Sequence, residues 1–416
     1  MKKSDIMKKN SLIGILALGF ILFSNISCDD AKNTIIENGV YIAEAASSTS
    51  QDVMLTDGNA SFSVFARLAK TVSQDVTIEL GLNTNYLDDY NRRNLTEYEG
   101  VPDRFLTYPA KVTIPAGSLS VEIPVTINEF NGESGVDYAI PLAILNSNSI
   151  DVTERSSNYL VMLSNPLIQK VPSFRYENNT TLLPESDPWG EACDSFTLEW
   201  LSRVTGVNDP EKGFSVNNQA IFNAISTSSG EGSDNELYIR FGDLIYSKRG
   251  GSGYLYNFLQ VKAMGSQFDT GDPNDYPLVS GQWYHFAITW TSSTGIMILY
   301  KYVQQVGQID TGRTTPYIFD GMNMIVSGST YFRDNVEMAQ VRLWKTVRSQ
   351  QQIEKFMHKE VKYTDPNLIF YLPMNEGDES ANILEDVTGN GHDMAIGNKG
   401  SRNTAFAWSE YNFTEL

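Results

Sequence analysis

Three His (His285, His358, His392) and two Cys (Cys28, Cys193) occur in 416 residues. A zinc cluster, a multi-His metal site and a disulfide framework therefore have too few ligands. No Ser/His/Asp order and no His-Glu-x-x-His pattern is present, so nucleophile-plus-base chemistry has little to build on. Carboxylates are plentiful, but an acid pair working on a glycosidic bond needs a separation of about 5–5.5 Å, typically from adjacent inward positions of one strand. The nearest approach is Glu376-Gly-Asp378-Glu379, which falls in a Gly turn. No catalytic residue is assigned.

Aromatic side chains offer a different chemistry. Trp189, Tyr254, Tyr256, Tyr276, Tyr331 and Trp408 fall in loop-like stretches, with Asp187, Asn257, Asp275 and Arg333 as nearby polar partners. Aromatic faces stack on the C–H faces of sugar rings, while amides, carboxylates and guanidinium groups bond the hydroxyls. These residues are the carbohydrate-binding candidates. Trp200, Trp283, Trp290 and Trp344 lie in alternating apolar stretches and are assigned to the core, and His285 is assigned to packing.

The rest of the chain must position them. Its length predicts two or three domains. Lys+Arg is 31 against Asp+Glu 50, a net charge of −19. That balance excludes a protein that grips nucleic acid through phosphates, and electrostatic attachment to an anionic bilayer. Aromatics at 11% are too many for a disordered acidic tail.

Lys2, Lys3, Lys8 and Lys9 precede a twelve-residue apolar run, Leu12 to Phe23, too short to span a bilayer alone. Ser24-Asn25-Ile26-Ser27-Cys28 then resembles a bacterial lipobox, with Asn25 where Leu is usual. The resemblance implies a signal peptide over 1–27, acylation of Cys28, and a tether over 28–38. Removing 1–27 takes the net charge to −22. Acyl chains hold a protein to a membrane at about 0.8 kcal/mol per buried CH₂, without a spanning helix. Asp29 and Asp30 resemble the surface-export signal of Bacteroidetes lipoproteins. The implied location is the outer membrane, lipid-anchored and facing outward. Cys193 is left as a buried or inert thiol.

Residues 39–165 read as strands. Leu119, Val121, Ile123, Val125 and Ile127 alternate with polar or small residues, as do Val76, Ile78, Leu80 and Tyr138, Ile140, Leu142, Ile144. Pro115-Ala116-Gly117-Ser118 is turn chemistry. The pattern predicts a small antiparallel sandwich, with a polar, Tyr-containing loop from Asn83 to Glu99. The order Tyr-Pro-Ala-Lys-Val-Thr-Ile-Pro-Ala-Gly-Ser (108–118), Ile-Pro-Val-Thr-Ile (123–127), Tyr-Ala-Ile-Pro-Leu (138–142) resembles the immunoglobulin-like domain of unknown function at the N-terminus of many Bacteroidetes surface lipoproteins. It implies a spacer or docking module without catalysis.

Pro166 and Pro172 bracket a predicted linker, and the second unit runs over 172–416. Trp283-Tyr-His-Phe-Ala-Ile-Thr-Trp290 and Met338-Ala-Gln-Val-Arg-Leu-Trp344 are strand patterns. Ser349 with Gln352 forms a capping box ahead of Ile353, Phe356 and Met357. Asn375-Glu-Gly377 and Asp386-Val-Thr-Gly-Asn-Gly-His-Asp393 are turns. This ordered series resembles the laminin-G-like, concanavalin A-like jelly roll, which implies two facing antiparallel sheets. Residues 230–274 read as a long Gly-rich, aromatic insertion, the kind of loop that carries function. The fold class expected is all-β, an immunoglobulin-like sandwich followed by the jelly roll.

The resemblance also colours the chemistry. The fold's hydrolytic branch uses Glu-x-Asp-x-(x)-Glu, which is absent here. Lectin-like sandwiches often hold Ca²⁺, for which Asp386, Asn390 and Asp393 are weak candidates; a turn capping its own backbone is the preferred reading. The expectation is a non-enzymatic, glycan-binding surface lipoprotein that captures oligo- or polysaccharide for an outer-membrane importer complex, needs no cofactor, and meets the membrane through its lipid alone. The alternatives are an adhesin with a protein partner, and a glycoside hydrolase of this fold.

Overall fold

The computed structural model describes residues 38–178, 180–182, 189–226, 235–325, 330–377, 383–396 and 405–415. Cys28 with the leader and most of the tether, and also Asp187, Asp378 and Glu379, lie outside the described residues. Among the described residues no helix is long and apolar enough to cross a membrane.

The architecture is all-β. In the first sandwich one sheet orders Val40–Ile42, Ala60–Leu68, Ser120–Ile127 and Leu106–Thr107. The other orders Ser50–Met54, Asn158–Ser164, Tyr138–Ser147, Val76–Leu82 and Lys111–Ile114, with Glu99–Gly100 pairing parallel to Tyr138–Ser147. Ser50–Met54 runs parallel to Asn158–Ser164, an exception to the expected antiparallel pattern. Period-two alternation puts Val64, Ala66, Ile78, Ile123, Val125, Ile140 and Leu142 into one core. Gly117, at φ +81°, completes the Pro115 turn, where Ser118 N donates to Pro115 O at 2.9 Å.

The stretch expected as a loop from Asn83 is instead an α-helix, Thr84–Asn94. The Asn83 side chain caps it by accepting from Tyr86 N at 3.2 Å, and Leu95 ends it at φ 54°. Its apolar face is one buried Leu87 plus Tyr86 and Tyr90, laid on Ala139 and Leu160 of the sheet's outward side. So thin a stripe leaves almost no helical period in the sequence.

The second sandwich faces two eight-stranded sheets. The first orders Gln304–Asp310, Ile296–Lys301, Trp283–Thr291, Ser195–Thr205, Asn335–Trp344, Ile168–Phe174 and Ala407–Asn412, with Leu368–Leu372 also on Asn335–Trp344. The second orders Ser266–Asp269, Leu259–Ala263, Leu237–Phe241, Gln219–Ile225, Gly321–Met324, Thr180–Leu182, Met394–Ile396 and Ile383–Leu384. Pro172, expected to close the linker, sits inside the strand Ile168–Phe174, which pairs with Ala407–Asn412. The stretch 230–274 is no single loop. Three strands of the second sheet run through it, and only 242–258 joins two of them as a long connection.

Trp200 and Trp290 lie between the sheets. Trp283 and Trp344 are equally buried but on the first sheet's outward side, Trp283 under Phe413 and Tyr411, Trp344 under Val361, Leu368 and Tyr371. The capping box forms as the sequence predicts: Ser349 and Gln352 bond each other's backbone and open the helix Gln350–Phe356.

Candidate functional site

Along Leu237–Phe241 and Leu259–Ala263 the apolar residues point into the core, so Tyr238, Arg240, Gln260 and Lys262 point out from the second sheet. Arg240 organises that face. Its Nε and Nη2 donate to Gln260 Oε1 at 2.8 and 2.6 Å, and its Nη1 to Asn218 Oδ1 at 2.8 Å. Its Nη2 also meets Asp243 Oδ2 at 2.6 Å, and Gln260 Nε2 donates to the same oxygen at 3.1 Å. Tyr238 OH donates to Asn218 Oδ1 at 3.1 Å. Arg240 and Gln260 are both buried, so this network fixes the outward side of the sheet beneath the connection that follows.

The connection that follows folds over this face. Ser247 bridges Tyr254, and Leu255 N donates to Tyr246 O at 3.1 Å. A neighbouring loop braces it: Asn274 Nδ2 donates to Ser247 O at 2.8 Å, Arg249 N to Asn274 Oδ1 at 3.1 Å, and Arg249 pairs with Asp275 at 2.6 Å. Tyr246 OH sits 3.1 Å from both oxygens of Asp269. Burial, and then the Asp269 charge, push the Tyr246 phenol up to about 12, so it remains a donor at neutral pH.

The structure gathers Tyr254, Tyr256, Asn257, Asp275 and Tyr276 in this loop pair, in different roles. Tyr254 is 46% exposed and Tyr276 63%. Tyr256 is partly buried on the core beside Gly242, where a Cβ would come within 2.7 Å of it, so it supports the loop. Asn257 Nδ2 is spent on Leu278 O at 3.0 Å. Asp275 holds Arg249. Tyr331 and Arg333 reach the same end of the sheet: Arg333 N donates to Gln219 Oε1 at 3.1 Å, and Gln219 pairs with Phe241, next to Gly242. Tyr331 is 44% exposed.

Two aromatics belong elsewhere. Trp189 is half-buried with its ring 4.1 Å from His392 and 5.5 Å from Phe370, far along the fold from the loop pair. Trp408, expected in a loop, lies on the strand Ala407–Asn412 and packs against Phe406.

The Asp386 loop is closed on itself. Asp386 accepts from Tyr371 N at 3.0 Å, Thr388 N and His392 N at 3.1 Å, and Thr388 Oγ1 at 2.8 Å. Asp393 accepts from Asp386 N at 2.8 Å, and Asn390 Nδ2 donates to Ile369 O at 2.8 Å. These atoms are engaged in the turn's own bonding. Among the described residues no group of three or more His, Cys, Asp or Glu is placed to hold a metal. Glu376 accepts from Glu385 N at 2.8 Å, and burial, with the Glu385 and Asp393 charges, raises its carboxyl above the ordinary range.

Arg240, Gln260, Asp243, Asn218 and Tyr246 were not among the sequence candidates. The signal for Arg240 and Gln260 was present, as polar positions alternating within Leu-Tyr-Ile-Arg-Phe and Leu-Gln-Val-Lys-Ala. Asn218 joins them through the pairing of Gln219–Ile225 with Leu237–Phe241, whereas Asp243 reaches back three residues to Arg240 from just beyond the strand.

Residues 36–151 match the profile of a family of N-terminal domains, which covers the first sandwich except its strand Asn158–Ser164 and less than half of the chain. No curated protein matches the chain. Among solved structures, one from Bacteroides ovatus described as a candidate carbohydrate binding protein superposes with a TM-score of 0.64 at 20% identity, covering 90% of this chain and 97% of its own. A Bacteroides thetaiotaomicron structure, EndoBT-3987 with Man5GlcNAc product, shares 23% identity over 30% of each chain, with a TM-score of 0.27. A heptameric pentraxin of Limulus polyphemus shares 17% identity over 45% of this chain and 79% of its own, with a TM-score of 0.29. The Bacteroides ovatus likeness shows the fold; the other two superpose too loosely to bear on function.

Proposed function

We propose that this chain is a non-catalytic glycan-binding protein. Its site is the end of the second sandwich whose loops carry Tyr254, Tyr276 and Tyr331. The observation that carries the reading is the exposure of these three tyrosines, 46%, 63% and 44%, on loops fixed by hydrogen bonds between Ser247, Arg249 and Asn274 and by the Arg249–Asp275 pair. Phenol rings offer stacking faces for sugar C–H surfaces, and their hydroxyls offer donors and acceptors for the sugar hydroxyls. The fold likeness to a candidate carbohydrate binding protein agrees with this reading.

Cys28 acylation would place the protein on a membrane, and Asp29 and Asp30 would direct it to the cell exterior. Capture there serves uptake of oligo- or polysaccharide by an outer-membrane importer. No step of the reading uses calcium or a catalytic acid. Glu376, the nearest approach to an acid pair, has one oxygen bonded to the backbone of Glu385.

Titration calorimetry of the purified protein against host and plant glycans is the test. Binding lost in Tyr254→Ala and Tyr276→Ala supports the site. Silence across the panel removes the reading, and sustained release of reducing ends, lost in Glu376→Gln, replaces it with hydrolysis. A protein partner is the second reading. It is favoured by the apolar exposure of Leu244 (53%), Ile245 (46%) and Val279 (52%) in the same loops.

A further inference from the structure

The first sandwich has two ends, distinguished by register. At one end Val40 pairs with Leu68 and donates to Asp151 O at 3.0 Å. At the other, Ala60 pairs with Ile127 and Ala139 with Met162, close to where Ser164 leads into the second sandwich. The strand Ala60–Leu68 has nine residues. At about 3.3 Å per residue, the two ends lie roughly 30 Å apart.

The loop 128–137 leaves from the second end and meets the segment 355–364. Asp137 sits 3.0 Å from Lys355 Nζ and 3.2 Å from Lys359 Nζ. Glu133 lies 3.6 Å from Lys362 Nζ and accepts from Thr364 Oγ1 at 3.4 Å. The Ser134 hydroxyl donates to Glu360. Acid comes from one sandwich and base from the other, in a chain whose net charge is −19. Asp137 is only 15% exposed, so its pairs are shielded more than surface pairs. Between them Gly135, at φ +72°, approaches so closely that a Cβ would lie 2.0 Å from the carbonyl carbon of Val361.

The basic segment is itself anchored. Val361 packs with Trp344, Leu368 and Tyr371, and the buried Arg342 donates to Phe356 O at 3.0 Å and to Lys359 O. Arg342 and Trp344 are on the outward side of the sheet containing Ser195–Thr205. The Arg240 sheet is the opposite layer of that sandwich.

We propose that the two sandwiches move as one rigid body, locked by the Glu133–Asp137 against Lys355–Lys362 clasp. The Arg240 face is thereby turned away from the first sandwich, and the end where the chain enters through Val40 is kept at the far side of that sandwich from the clasp. The first sandwich is then an orienting mount and not a loose spacer. This holds whatever the loop tyrosines bind.

Small-angle X-ray scattering of the full-length protein tests it. The wild type is expected to scatter as one compact body. Reversing Lys355, Lys359 and Lys362 to Glu should lengthen the maximum dimension and add the signature of a flexible two-body chain. Adding Glu133→Lys and Asp137→Lys should restore the compact profile. Gly135→Leu should open the pair without changing any charge. Each variant is first checked for two folded sandwiches by circular dichroism. A wild type that already scatters as a flexible pair overturns the proposal. So does a folded triple reversal with an unchanged profile, or one that the swapped acids fail to restore.

Discussion

Trp344 donates its indole N–H to Glu199 Oε1 at 2.7 Å in a layer where Glu199 is fully buried. His285 Nε2 stands 3.5 Å from the other oxygen, and Arg348 Nε 3.4 Å from the first. The Arg348 guanidinium lies over the Trp344 ring at 4.1 Å. This cluster lies on the outward side of the first sheet, capped by the helix that the Ser349 box begins, and it joins three strands with the segment that carries the basic half of the clasp.

Removing one partner of a buried pair leaves a charge with no compensation, at a cost of about 3–5 kcal/mol. Glu199→Ala is expected to lower the unfolding free energy by about that much. Urea unfolding followed by tryptophan fluorescence measures it. A loss like that of an ordinary surface substitution, within about 0.5 kcal/mol, would show that the cluster is not coupled to folding.

The same carboxyl sets an acid dependence. Burial pushes the Glu199 pKa up, but contact with His285 and the charges of Arg342 and Arg348 outweigh it and hold it down to about 2, from an ordinary 4.5. A depressed carboxylate contributes stability above its unfolded pKa and loses it as pH falls through the folded value. The stability advantage of wild type over Glu199→Gln should therefore be full above pH 4.5 and shrink toward pH 2. An advantage that stays constant over that window contradicts the assignment.

At the proposed glycan site, truncating one exposed stacking ring should cost about 1–2 kcal/mol, or about tenfold in affinity. Tyr254→Ala and Tyr276→Ala should each weaken binding by that factor and leave the thermal midpoint nearly unchanged, because both rings are exposed. Tyr256→Ala should do the opposite and lower stability first, since its ring packs on the core. Calorimetry alongside thermal unfolding separates the two. A stable Tyr276→Ala with undiminished affinity would take that ring out of the site.

Asp386 serves four donors on three residues, so Asp386→Ala should strand several of them and cost at least 1–3 kcal/mol. With its oxygens engaged this way, EDTA should leave the thermal midpoint where it was. A midpoint that drops on chelation and returns with added Ca²⁺ would reverse the reading of this loop.

Cys193 is buried, and burial with the Glu191 charge nearby pushes its thiol up to about 12. A thiolate-specific reagent at pH 8 should leave it unmodified in the native protein and label it fully in denaturant. Stoichiometric labelling without unfolding would mean that the strand Glu191–Cys193 opens.

The strands of both sandwiches were legible because alternation is a local signal. Val121 to Ile127, or Tyr284 to Trp290, declare a core-facing row of alternate residues without reference to any other part of the chain. The capping box was legible for the same reason, since both partners lie within four residues. The helix Thr84–Asn94 was not, because its burial is supplied by Ala139 and Leu160 on two distant strands. The site divides along the same line. Tyr254, Tyr276 and Tyr331 stand out by composition in stretches rich in Gly, Asp and Asn. The sorting of Tyr256 into support, and of Trp408 into a strand, depends on what the neighbouring segments bring.

Composition and periodicity alone determined an acidic, strand-rich chain with residue types ill-suited to metal or nucleophilic chemistry, and the ordered motifs of its second unit added the resemblance to a jelly roll. Tertiary structure alone decided that Arg240, Asn218, Asp243 and Gln260 share one array, that Glu199 sits under Trp344, and that Gly135 touches Val361. The reason is range. A side chain's own preference is written in its neighbours along the chain, whereas a hydrogen bond between residues 17 to 145 positions apart, such as Gln260 to Asp243 or Trp344 to Glu199, exists only once strand register has brought them within 3.1 Å or less.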